Sequence, residues 1–331
     1  MEWTRREFVT GLTMAGTAGL VGARPEPVTA EPPPETTRLR LVQRPVICFA
    51  PVYVAEALFR DEGFTDVAYL KKLNPSENYQ ALASGEADIN FGFGPPLIAR
   101  IDAGDPIVFI AGGHVGCLQL FGTDHVRTLH DLKGKAVASA EGTSLFLASM
   151  LSYIGLDPGK DATLVVRPEA EATQLFVDGK VDAVMVSPPF PQELAARKIG
   201  RLVINTAVDR PWSNYFCCMV TANREFVRKH PVATKRALRA IVKGADLCAL
   251  EPERVARSLV ERGFTPRHDY ALLAIKDVPY RKWREYDPED TVRFYALRLH
   301  EVGMIKSSPQ KIIAQGTDWR FLKELKKELK A

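Results

Sequence analysis

The chain lacks a comfortable membrane span. Its N-terminal apolar run, Phe8 to Val21, is too short and too rich in glycine to cross a bilayer as a helix. It also lacks an excess of charge of one sign. Forty-four Lys and Arg face 40 Asp and Glu across 331 residues, a net charge of +4, and the basic residues are dispersed. No basic stripe is present, so nucleic acid is excluded as a partner. Cysteine is scarce: Cys48, Cys117, Cys217, Cys218 and Cys248 are five in number and irregularly spaced, which excludes a disulfide framework. No CxxC or HExxH spacing suggests zinc, so neither metal nor cofactor is expected. No nucleophile–base pair or paired carboxylates stand at a persuasive spacing.

What the chain does have is a segment that occurs twice. Residues 78–95 read NYQALASGEADINFGFGP and residues 172–189 read ATQLFVDGKVDAVMVSPP. Aligned without a gap, they share Gln80/Gln174, Gly85/Gly179, Asp88/Asp182 and Pro95/Pro189. Each copy predicts a helix, a glycine stop, a strand covered on both faces, then a Gly/Pro-rich bend. A repeat spaced by about ninety residues is too wide for a solenoid. It predicts two similar α/β lobes, with a cleft between them at the carboxyl ends of parallel strands.

The opening MEWTRREFVTGLTMAGTAGLVGA places Arg5 and Arg6 before Phe8 and a modestly apolar run, the pattern of a twin-arginine export signal. Residues 1–30 are assigned to that signal and 31–37 to a Pro-rich linker. The expected location is the periplasm, with no lipid anchor. Beyond the linker, strands are predicted at 38–42, TDVAYLKK, INFGF, DPIVFIAGG, the end of LHDLKGKAVASA, DATLVVRP, AVMVS, RLVINT and 214–222. The best-patterned helix is EGTSLFLASMLSYIGL, with Phe146, Leu147, Met150, Leu151 and Ile154 on one face and Gly155 as its stop. Helices follow near 223–229, 231–250, 252–262, 288–302 and 318–330, the last read as a solvated terminal helix.

Several pieces then carry a specific resemblance: Tyr53-Val54-Ala55 before Gly63-Phe64, the Leu-x-x-Gly-x-x-Asp segment 82–88, Asp131-Leu132-Lys133-Gly134-Lys135, Gly142-Thr143-Ser144, Gly179-Lys180-Val181-Asp182-Ala183 and His230-Pro231. In this order and spacing, residues 38–250 resemble the solute-binding proteins of ABC importers for nitrate, sulfonate, taurine and bicarbonate. The wider group includes binding proteins and synthases for thiamine pyrimidines. The resemblance implies a type II periplasmic-binding-protein fold: two α/β lobes, joined by two crossings, that close on a ligand. It would place lobe one at 38–123 and 220–331, and lobe two at 124–219. It implies a small anionic ligand, an ABC permease and ATPase as partners, and a monomeric receptor.

Candidate ligand residues follow. At Gly142, Thr143 and Ser144, free backbone N–H groups at a helix start favour an anion, although the same residues also read as a plain N-cap. Gly92, Phe93 and Gly94, with Ser187 and Pro188 as their counterparts, follow strands at their carboxyl ends, and read equally as turn chemistry. Arg44, Cys48 and Phe49 lie in the loop after the first strand, where Arg44 offers a guanidinium fork to a carboxylate or sulfonate. Trp212, Asn214 and Tyr215 precede the returning strand as ligand walls or as hinge packing. With Phe93 they point to a ligand larger than nitrate or bicarbonate. His114 is a further contact candidate, though a lone histidine is more often structural. Cys217 and Cys218 alternate faces in a strand, so one is expected to enter the core.

The competing reading is an enzyme of the thiamine-pyrimidine synthase type. Such synthases bear a cysteine cluster with iron, and Cys217-Cys218 has only part of that run. With an export signal and no catalytic spacing, the chain is expected not to be an enzyme. A sensory binding protein is a third reading.

Overall fold

The computed structural model describes residues 31–44, 46–71 and 75–330. The twin-arginine segment lies outside the described residues. Among the described residues, ten strands form two five-stranded sheets of the same plan, β2-β1-β3-β10-β4 and β7-β6-β8-β5-β9. In the first, β1 (Arg38–Gln43) pairs in parallel with β2 (Asp66–Lys71) and β3 (Ile89–Phe93), while β10 (Phe216–Asn223) runs antiparallel between β3 and β4 (Ile107–Val115). In the second, β6 (Ala136–Ser139) pairs in parallel with β7 (Thr163–Val166) and β8 (Ala183–Val186). There β5 (Gln119–Gly122) runs antiparallel between β8 and β9 (Arg201–Asn205).

The repeated segment explains this likeness at the atomic level. Gly85 and Gly179 end their helices at φ +75° and +67°, a left-handed conformation that favours glycine. Three residues later, each aspartate fastens the neighbouring parallel strand at its start. Asp88 N–H donates to Arg40 O at 2.8 Å and its Oδ2 accepts from Arg40 N–H at 2.7 Å. Asp182 repeats the pattern with Ala136, at 2.8 and 2.9 Å. β3 and β8 are buried along their whole length, as expected for strands covered on both faces.

The chain passes between the sheets twice. β5 was not foreseen as a strand, and its place in the second sheet puts the first crossing at residues 116–118 rather than after 123. The second crossing spans 206–215, because β10 already pairs in the first sheet at Phe216. Gly116 sits at φ +52°, where an added Cβ would lie 2.2 Å from Ala207 Cα, so the two crossings touch. Thr206 ties them: its Oγ1 accepts from Cys117 N–H at 3.2 Å and Leu118 N–H at 3.0 Å, and donates to Leu118 O at 2.8 Å.

One C-terminal helix bridges the lobes: Pro288–Glu301 packs on Gly94–Asp102 and Pro309–Gly316 of the first lobe as well as on the second. Pro288–Glu301 packs against Glu141–Tyr153 of the second, with the Phe146 and Tyr295 rings 4.9 Å apart and Ser152 Oγ donating to Arg298 O at 2.9 Å. The helices His268–Asp277 and Pro309–Gly316 were also absent from the sequence reading. The last helix, Arg320–Glu328, is docked rather than solvated: Phe321, Leu322 and Leu325 are buried, and Glu328 pairs with Lys235 and Arg239. No described helix is long and apolar enough to cross a membrane.

The two aspartates differ in environment. Asp88 is 3% exposed and also pairs with the Arg40 guanidinium, whereas Asp182 is 36% exposed beside Lys135. Asp88→Asn should therefore cost about 2–3 kcal/mol. Asp182→Asn should cost under about 1 kcal/mol, because its weaker ion pair is solvated and an amide oxygen can still accept from the backbone. Urea unfolding of the two variants checks the order; equal losses would contradict it.

Candidate functional site

The carboxyl ends of β1 and β6 meet between the lobes. Arg44 follows β1 directly. Its backbone is held by Tyr53, whose hydroxyl accepts from Arg44 N–H at 3.0 Å and donates to Arg44 O. The guanidinium carbon lies 5.7 Å from the centroids of both the Phe49 and Phe93 rings, a cation–π arrangement. Phe49 stands edge-on to Phe91 and Phe93, at 5.5 and 5.7 Å, so the cation rests on a packed aromatic floor.

From the other lobe, the helix Glu141–Tyr153 brings its N-terminus onto this cation. A Cβ on Gly142 would lie 3.3 Å from both Arg44 Nη2 and Phe93 Cδ2. Only a residue without a side chain permits that approach without displacing a neighbour. The hydroxyls of Thr143 and Ser144 are engaged in their own turn, donating to Ala140 O at 3.2 Å and Glu141 O at 2.9 Å. The N–H groups of Thr143 and Ser144 also donate to Ala140 O, at 3.0 and 2.9 Å, so those of Glu141 and Gly142 are what remains to offer.

Three polar atoms in this region are buried without a hydrogen-bond partner: Arg44 Nη1, Tyr79 Oη and Ser139 Oγ. Ser139 ends β6. Tyr79, on the helix Pro75–Ser84, feels the charges of Arg44 and Glu141, although burial is the main cause that pushes its phenol up to about 12. Each such atom costs roughly 1–3 kcal/mol when left unpaired.

Across from Arg44 stands Glu169, at the start of the helix Glu169–Val177. Its carboxylate accepts from Ser187 N–H at 2.5 Å and from Ser187 Oγ at 2.7 and 2.9 Å. Burial raises its pKa from 4.5 to about 7, opposed by the Ser187 bonds and by the charge of Arg44. Sequence reasoning missed Glu169, Tyr79 and Ser139.

The remaining candidates are spread more widely. Gly92 and Gly94 flank Phe93, with Gly94 opening the next helix. Ser187 contacts Glu169, and Pro188 begins a cis Pro188–Pro189 bond. Trp212 and Tyr215 belong to an aromatic group with the C-terminal helix: Trp212 meets Tyr153 at 5.8 Å and Tyr215 stacks on Phe294 at 4.0 Å. Asn214 is exposed. Cys217 and Cys218 lie in a strand, as expected, and both are buried because β10 is covered on both faces.

Beneath Phe49 a second group converges. Cys48, His114, Cys117 and Cys218 are all buried, and their potential ligand atoms lie within 4.8 Å of one another. The sequence spacing suggested no such group; Cys218 gains Cys48, Cys117 and His114 as neighbours only in the fold. No spacing motif announces it, because the four residues come from a 3-10 turn, β4, a crossing and β10.

The raised pKa of Glu169 has a signed consequence. Below pH 4.5 the acid is protonated in the folded and unfolded chain alike. Between 4.5 and about 7 the unfolded chain releases the proton while the folded chain keeps it, so stability falls across that window and then levels off. The fall should be on the order of 3 kcal/mol. Glu169→Gln should flatten it in urea unfolding from pH 4.5 to 8; an unchanged slope would assign the pH dependence elsewhere.

Residues 47–255 match the family described as NMT1/THI5 like. The chain is 25% identical over 236 residues to the 4-amino-5-hydroxymethyl-2-methylpyrimidine phosphate synthase THI12 of Saccharomyces cerevisiae, covering 66% of this chain and 67% of that one. Among solved structures, the periplasmic nitrate-binding protein NrtA from Synechocystis PCC 6803 matches with a TM-score of 0.75 at 17% identity, covering 90% of each chain. The alkanesulfonate-binding protein SsuA from Xanthomonas axonopodis pv. citri, bound to MOPS, matches with a TM-score of 0.67 at 17% identity, over 88% of this chain and 99% of that one. The structural likenesses establish two α/β lobes of the periplasmic-binding-protein fold. The sequence relative corrects the expectation that the chain is not an enzyme, since THI12 is named as a synthase. With the match spanning residues 47–255 of 331, the chain belongs to the NMT1/THI5-like family.

Proposed function

We propose that this chain is the substrate-binding component of an ABC importer, closing its two lobes on a small organic anion and presenting it to a membrane permease. The single observation that carries this reading is the partnerless Arg44 Nη1, buried where the helix start at Gly142 closes over it. A cation on an aromatic floor, beside the positive end of a helix, suits a carboxylate or sulfonate. Glu169 adds a second requirement: a group on the ligand that donates a hydrogen bond or carries positive charge. An amphoteric molecule meets both conditions better than nitrate or bicarbonate. Phe49, Phe93, Gly142 and Ser187 would line the site. Gly92, Gly94, Thr143 and Pro188 would shape its loops, with Trp212, Asn214 and Tyr215 at the second crossing. Export through Arg5-Arg6, action in the periplasm as a monomer, and handover to a permease and ATPase belong to the same proposal.

A second reading, a synthase acting on pyrimidines, is supported by the sequence match to THI12. Product detection by mass spectrometry distinguishes it from capture alone.

The test is a thermal-shift screen of chain stripped of bound ligand, against sulfonates, taurine, nitrate, bicarbonate, carboxylates and pyrimidines. A ligand at a hundred times its dissociation constant adds about 2.7 kcal/mol of stability. Arg44→Ala should weaken the responding anion about 10- to 100-fold, the worth of a charge-assisted hydrogen bond. Unchanged affinity in that variant would remove Arg44 from the site, and a response to neutral pyrimidines alone would remove the anion.

A further inference from the structure

We propose that Cys48, Cys117, Cys218 and His114 form a closed tetrahedral site for zinc(II), set in the first lobe beneath the cleft floor. The proposal is independent of what the cleft binds. Its first support is geometric. A zinc ion with sulfur ligands at about 2.3 Å and an imidazole nitrogen at about 2.0 Å needs donor atoms roughly 3.5–4 Å apart. The four donor atoms already lie within 4.8 Å of one another.

The second support is the state of His114. Its Nδ1 faces Gly116 O at 3.0 Å and Val115 O at 3.3 Å, so Nδ1 carries the hydrogen and donates. That leaves the Nε2 lone pair free, and Nε2 is buried with no hydrogen-bond partner. A metal-ligating histidine has this arrangement, one nitrogen donating to a carbonyl and the other to the ion. Packing alone explains buried cysteines, which behave as small hydrophobes. It does not explain a fully buried imidazole nitrogen without a hydrogen-bond partner on a ring that sits beside a cluster of thiols.

The third support is the enclosure. All four residues are buried, so no fourth or fifth position stays open to water, which marks a structural rather than a catalytic zinc site. Three soft sulfurs and one imidazole exclude magnesium and calcium, which require oxygen. Cys217 is a neighbour outside the group: its Sγ lies 3.2 Å from Cys117 Sγ, well beyond the 2.05 Å or so of a disulfide. Cys248 is not part of the group and serves as a control.

The experiment uses the full chain, purified under reducing conditions without added metal. Elemental analysis should find about one zinc per chain. Exchange with cobalt(II) should give the intense visible absorption of a tetrahedral ion and a sulfur-to-cobalt charge-transfer band in the near ultraviolet. Cys48→Ser and His114→Ala should each lose most of the bound metal or alter that spectrum, whereas Cys217→Ala and Cys248→Ala should keep both. A cooperative thermal transition in every variant separates metal loss from unfolding. If a variant fails to fold, the cobalt spectrum of the parent still decides. A folded, metal-free parent that gives only the weak spectrum of hexa-aqua cobalt would overturn the proposal. So would a Cys117–Cys217 disulfide in the purified chain, or iron in place of zinc.

Discussion

The contact between the two crossings is the constraint on which the rest depends. At Gly116 the backbone passes so close to Ala207 that no side chain fits, and the Thr206 hydroxyl binds both segments together. Two strands fixed side by side at one point leave each sheet free to present its carboxyl edge to the other. Arg44 at the end of β1 and Gly142 beyond β6 come close together there: a Cβ on Gly142 would lie 3.3 Å from Arg44 Nη2. Such a pivot absorbs lobe motion in few dihedral angles, as hinge closure requires.

The duplicated plan makes the two edges equivalent. Asp88 and Asp182 each fasten a parallel strand at its start, so both sheets are held in register from the end remote from the cleft. Fastening that end leaves the opposite end to vary. The first lobe has a cation on aromatic rings there, and the second has a helix N-terminus and the Glu169–Ser187 pair. One scaffold thus supplies two chemically different jaws.

Much of this was legible in the sequence. The repeat showed the two lobes, because Gly and Asp at fixed offsets record backbone needs that side-chain substitution cannot disguise. Phe93 and Ser187 were singled out because they stand at the carboxyl ends of strands, and Gly142 because it opens a helix. β5 was missed because QLFG is four residues long and too short to show a period. Glu169 was missed because an acidic residue opening a helix reads as ordinary first-turn chemistry. Its hydrogen-bond partner, Ser187, lies eighteen positions away. The Cys–His group was missed for the same reason on a larger scale: residues 48, 114, 117 and 218 meet only when β10 returns to lie beside β4.

The unpaired atoms at Arg44, Tyr79 and Ser139 bear on how closure is driven. In an open arrangement water would satisfy them at little cost. In the closed arrangement they lose that water, and together the three would oppose closure by several kcal/mol. Closure without a ligand is thus held back by the same groups that a suitable ligand would satisfy. Glu169 adds a pH term, because burial of the carboxyl group tightens its hold on the proton against the opposing effect of the Ser187 bonds and the Arg44 charge. The free energy that distinguishes the two states is therefore concentrated in a few polar atoms at the carboxyl ends of β1 and β6. A ligand shifts the equilibrium only as far as it interacts differently with these atoms in the two states.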